Sequence, residues 1–152
     1  MSNYGNIDGE LFTKYPHLKN VKERTYHNEG GVTLVPENFF YDELQLDGTK
    51  KRIVEKFKTG CVGHKMAQGE VSPTTREGCL KVYDSDFEKA ARDAEKLVDT
   101  SKVSQEAYGV VVEMVFQMGY EGVSKFKKTL EHINNNNYKN ASTEMLNSLW
   151  AR

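Results

Sequence analysis

The chain reads as an α+β protein: an N-terminal helix, a small β-hairpin lobe, then an all-α bundle. Three observations predict this. The run "VTLVPENFFYDELQLDGTKKRIVEKFKT" is rich in β-branched and aromatic residues and carries Asp47-Gly48 at its centre, the strongest short-range hairpin signal. From residue 72 onward, apolar residues recur at spacings of three and four, the helical period. One segment, "SQEAYGVVVEMVFQMG" (104–119), is apolar nearly all round, as the buried centre of a helical lobe would be.

Residues 1–17 are polar and interrupted by glycine, which predicts an irregular arm. "HLKNVKERTYHNE" (17–29) spaces Leu18, Val21 and Tyr26 helically, and Gly30-Gly31 ends it. A two-residue turn at Asp47-Gly48 would set Leu46 opposite Thr49, Leu44 opposite Lys51 and Asp42 opposite Ile53. The outgoing strand, with Lys50, Lys51, Arg52, Lys56 and Lys58, is a basic ribbon whose lysines keep a solvated edge from aggregating. "SPTTRE" offers Thr74 as an N-cap with Glu77 three residues on, a capping box. The helix behind it runs to about Val98 and aligns Leu80, Tyr83, Phe87, Ala91, Ala94 and Leu97. Gly119 and Gly122 break the next helix. "VSKFKKTLEHI" (123–133) and "YKNASTEMLNSLWAR" (138–152) supply two more around the polar "NNNN" linker. The expected organisation is an arm (1–17) and one domain (18–152), split into a helix-and-hairpin lobe (18–71) and a helical lobe (72–152).

Composition narrows the function classes. A chain of 152 residues buries one substantial core, and a net charge of −1 gives no basic surface for nucleic acid. No stretch approaches the roughly 20 apolar residues of a membrane span, and "MSNYGNIDGELFTKYPHLKN" lacks the pattern of a signal peptide. Two cysteines, Cys61 and Cys79, are too few for a disulfide framework or a four-cysteine zinc site. They read as reduced, buried thiols of a protein made in a cytoplasm.

"MVFQMGYEGVSKF" (114–126), followed by "SLW" (148–150), resembles the bacteriophage lysozymes, the muramidases of the T-even coliphages. That family carries a Met-Val-Phe-Gln-Met-Gly core helix, a Gly-Val-x-x-Phe segment and a Ser-x-Trp. "TGCVGHK" (59–65) is similar to its Thr-x-Gly-x-Gly-His turn, with Cys61 where glycine is usual, and "NEGG" (28–31) fits the end of its first helix. The resemblance covers roughly residues 17–152 and implies a lysozyme-like fold. It implies an enzyme without cofactor or metal that cleaves the β-1,4 bond between N-acetylmuramic acid and N-acetylglucosamine in bacterial peptidoglycan.

The resemblance assigns roles residue by residue. Glu29 becomes the general acid of an inverting glycosidase, which protonates the leaving oxygen while a second group directs water at the opposite face of the sugar. For that second group the pattern "FFYD" nominates Asp42. Spacing and hairpin register instead favour Glu37 or Asn38, because Asp42 falls about six residues, roughly 20 Å, further along the strand. Only a bulge would bring Asp42 back to the cleft. Thr59 matches the threonine that helps hold the water. Phe116, Gln117 and Trp150 match positions that back or reach into the cleft, Gln117 as an amide that must find partners if buried. His64 pairs with Asp86 as scaffold, each favouring the other's charged form.

The family continues past the tryptophan with further helices, so another chain or the arm 1–17 would complete that wall here. The implied setting is synthesis in a host cytoplasm and action on the periplasmic wall, in lysis or from a virion. A rival reading makes the chain a catalytically impaired lysozyme-like scaffold, a structural or glycan-binding part of a virion assembly. A chitinase-like activity on N-acetylglucosamine polymers has nothing separate in its favour.

Overall fold

A computed structural model describes residues 2–141, and of residues 37–41 and 54–57 it describes the backbone alone. In chain order the elements are α1 (Glu10–Lys14), α2 (Leu18–Asn28), β1 (Thr33–Leu44), β2 (Lys50–Cys61), β3 (His64–Lys65), α3 (Arg76–Glu95), α4 (Gln105–Ser124) and α5 (Lys127–Asn134). A further helical stretch opens at residue 138. One antiparallel sheet in the order β1-β2-β3 precedes a helical lobe, the α+β arrangement that the sequence predicts.

The first seventeen residues are not irregular throughout. Gly9 leads into α1, whose Phe12 is buried and stacks on Phe87 of α3 with ring centres 6.2 Å apart. Tyr15 packs against Tyr108 of α4 at 4.6 Å, and its hydroxyl bonds Thr100 at 3.1 Å. Two aromatics thus draw a polar stretch onto the core. In α2, Leu18, Val21, Lys22 and Thr25 recur at three and four and are all buried. The Gly31 N–H caps the helix on the Tyr26 carbonyl at 3.0 Å, with Gly30 and Gly31 both at positive φ.

The hairpin turn is wider than a two-residue turn. Leu44 pairs with Lys50, and residues 45–49 form a loop closed by the Gln45 N–H on the Thr49 carbonyl at 2.7 Å. The Asp47 carboxylate accepts both the backbone N–H (2.9 Å) and the hydroxyl (2.6 Å) of Thr49, which stabilises the longer loop. Every pair near the tip therefore shifts by one, and Asp42 faces Arg52, not Ile53. Between the pairs Phe40–Val54 and Asn38–Lys58, residues 55–57 of β2 stand against residue 39 alone, a bulge. Beyond it Glu37 faces Thr59 and Thr33 faces Cys61.

Cys61 and Cys79 are buried as expected but not reduced: they form a disulfide. The end of β2 lies on the first turn of α3, with the two Cα atoms 4.8 Å apart, so the thiols meet. The cap of α3 is Thr75, one residue beyond Thr74, and its hydroxyl accepts the Gly78 N–H at 3.0 Å. Tyr83, Phe87, Ala90, Ala91 and Ala94 of α3 pack with Tyr108, Val111, Val112, Met114 and Val115 of α4 as one core. Gly119 interrupts α4 at φ 80° and ψ 164°; Gly122 stays helical, so it does not break the chain as expected. Residues 123–124 finish α4, and α5 accordingly starts at Lys127 and buries Leu130 and Ile133. Among the described residues, no helix is long and apolar enough to cross a membrane.

Candidate active site

A cleft of about 510 Å³ opens between the β-lobe and the helices. The end of α2 contributes Glu29, the sheet contributes Thr59, Gly63, His64 and Lys65, and α3 contributes Asp86, Lys89, Ala90 and Asp93. Residues 115–119 of α4 form the opposite wall.

Glu29 is the C-cap of α2 and is half-buried. Its carboxylate lies against Gly63: a Cβ there would stand 2.6 Å from Oε2, and Gly63 has φ +62°, so both space and backbone favour glycine. Burial raises the Glu29 pKa and Lys65 partly opposes that. The negative pole of α2 also disfavours an anion at this end of the helix. A carboxyl so placed holds its proton to higher pH, as a general acid must.

Thr59 sits on β2 between two partners, Glu37 of β1 and Lys65 of β3. His64 Nδ1 meets Asp86 Oδ2 at 2.6 Å, and its Nε2 meets Glu70 Oε2 at 2.7 Å. Burial alone would lower the His64 pKa, but the two carboxylates reverse that and raise it. Asp86 departs from the expected reciprocity. Its burial, with Glu70 nearby, lifts its carboxyl despite the imidazole. Glu70 is drawn down by the Ala67 N–H and by His64. Sequence reasoning missed Glu70 because the loop 66–72 has no periodicity to mark an inward carboxylate. It also passed over Lys65, the last residue of the quoted stretch "TGCVGHK".

Phe116 is partly buried, edge-on to Tyr83 at 5.6 Å. Gln117 is exposed on the cleft wall. Asp42 is not among the lining residues. It is exposed, paired with Arg52 Nε at 3.3 Å, and lies five positions beyond Glu37, about 16 Å along an extended strand. The bulge does not return it to the cleft, because it lies between Asp42 and Glu37 without folding the strand back. Trp150 lies outside the described residues. Among the described residues, no three His, Cys, Asp or Glu side chains gather to hold a metal ion.

Residues 44–152 match the family described as Phage lysozyme. A relative from Dictyostelium discoideum named Probable T4-type lysozyme 2 is 31% identical over 101 residues, covering 57% of this chain and 59% of that protein. The chain therefore spans about three fifths of the curated relative it matches. Glu29 precedes the matched stretch, so its candidacy rests on the geometry above. With the two-lobed cleft and a match over most of its length, the chain belongs to the phage lysozyme family.

Proposed function

We propose that the chain is a muramidase, hydrolysing the β-1,4 bond between N-acetylmuramic acid and N-acetylglucosamine in bacterial peptidoglycan. One observation carries the reading: a half-buried carboxyl with a raised pKa, Glu29, faces a sugar-sized cleft walled by both lobes. In this reading Glu29 protonates the glycosidic oxygen as the bond breaks. Thr59 orients a water on the other face of the ring, and a second carboxylate takes its proton, inverting the anomeric centre. Glu37 is the proposed second carboxylate, supported by its register opposite Thr59, in preference to Asp42. Phe116, Gln117 and Trp150 are proposed to bind the glycan, and the His64–Asp86 pair to hold the β-lobe on α3. The reaction uses no cofactor. The Cys61–Cys79 bond supports action in an oxidising compartment such as the periplasm, reached in lysis or from a virion.

Turbidity clearing of permeabilised Gram-negative cells tests this. Glu29→Gln should slow clearing at least about 100-fold, the usual worth of a general acid. Equal clearing by both proteins removes Glu29 from the mechanism. A second reading, a lysozyme-like scaffold that binds glycan in a virion without cleaving it, is favoured by the distance of Asp42 from the cleft. Binding to purified peptidoglycan with no muropeptides released would select it.

A further inference from the structure

We propose that Lys65 is a specificity-determining residue of the cleft whose ammonium takes a free carboxylate of the peptide stem on a bacterial glycan strand; this deepens, and rests on, the muramidase reading. Among the described residues two lysines line the cleft, and they differ in what surrounds them. Lys89 is held by Asp93 at 3.0 Å, one turn further along α3. Lys65 has no carboxylate within ion-pair distance among the described residues, and it is exposed. It is nonetheless fixed at its base, because β3 pairs it with Thr59 on one side and His64 is pinned beside it by Asp86 and Glu70. It lines the same cleft as Glu29, so the ammonium stands beside the substrate in the proposed complex.

The chemistry of the substrate supplies the matching anion. Once the lactyl group of the muramic acid is joined to a peptide by an amide, the sugar rings themselves are neutral. The negative charge of the strand then lies on the free carboxylates of the stem, which some cell walls carry as primary amides instead. An ammonium beside the cleft with no ion-pair partner among the described residues distinguishes these two forms, since it forms an ion pair with one and meets only a neutral acceptor in the other. A polymer of N-acetylglucosamine offers it nothing.

The test is calorimetric binding of uncross-linked disaccharide-pentapeptide, with stem carboxylates free or amidated, to the wild type, Lys65→Met and Lys65→Arg. The wild type and Lys65→Arg should bind the free acid roughly threefold more tightly than the amide, the scale of a partly exposed ion pair. Lys65→Met should bind both alike, with its thermal midpoint unchanged because the residue is exposed. A wild type indifferent to amidation overturns the proposal, as does a Met variant that keeps the preference. So does a Met variant that weakens both ligands equally while moving the pH profile of clearing, since Lys65 would then act only on Glu29. Discrimination without any clearing by the wild type would sink the muramidase reading and leave Lys65 standing; clearing without discrimination would do the reverse.

Discussion

His64 makes two carboxylate contacts from one imidazole, and at the scale of single residues this is the clearest source of pH dependence. Its pKa is raised above the ordinary 6.5 by Asp86 and Glu70 acting against burial. A base whose folded pKa is raised contributes its full stability below the unfolded value and loses it as pH rises through the folded value. The wild type should therefore lose thermal stability from about pH 6.5 upward, while His64→Gln should lack that slope. At pH 6 the variant should be less stable by about 1–2 kcal/mol, a partly buried pair being worth more than a surface one. The difference between the two melting profiles isolates His64 from Glu29, Asp86 and Lys22, which also titrate. Parallel profiles from pH 6 to 9 would show that folding leaves the imidazole's proton affinity unshifted. The neighbouring Gly63 shows the same crowding from the steric side, since Glu29 already occupies the space a side chain would need.

Between elements, the Cys61–Cys79 bond joins the end of β2 to the first turn of α3, closing a loop with a sequence separation of 18. A loop of that size is worth about 3 kcal/mol by chain entropy. Cys79→Ala, or reduction, should lower the melting midpoint by roughly 6–12 °C for a domain of this length. An unchanged midpoint would mean that the lobes are held by packing and the His64 contacts alone. Helices α2, α3 and α4 were legible in the sequence because burial repeats along them with the helical period, as in Leu80, Tyr83 and Phe87. Helix α1 was not, since one buried residue, Phe12, in five establishes no period. The hairpin was legible as a hairpin but not in register. Its loop size depends on Asp47 accepting two bonds from Thr49, a choice that alternation along the strands does not encode.

The whole molecule holds its site together through contacts far apart in the chain, and this decides what a sequence can reveal of it. Glu29 at the end of α2, Thr59 and His64 on either side of a tight turn, Asp86 within α3 and Phe116 and Gln117 within α4 all line one cleft. Asp42 stands away from the cleft because its motif is local while its position depends on the ladder. Lys22 belongs to the same long-range class. It is 1% exposed, boxed by the rings of Phe12, Tyr83 and Phe87 at 5.3–5.8 Å, and its ammonium bonds Asp84 and the Asn6 carbonyl, the latter at 2.7 Å. The Asn6 N–H also donates to Asp84 at 2.9 Å, so one lock joins the residues before α1 to α2 and α3. Burial lowers the Lys22 pKa and Asp84 works against that. The two partners are unequal, since the Asp84 side chain is 30% exposed and can be hydrated if left alone. Asp84→Asn strands a buried charge and should cost about 3 kcal/mol. Lys22→Met fills the aromatic box with an apolar chain of similar length and should cost about 1 kcal/mol or less. Urea unfolding of both variants measures the asymmetry, and Lys22→Met with Asp84→Asn together should recover most of the larger loss. Equal costs, or no recovery in the pair, would show that the ring contacts and not the counter-ion keep Lys22 in place.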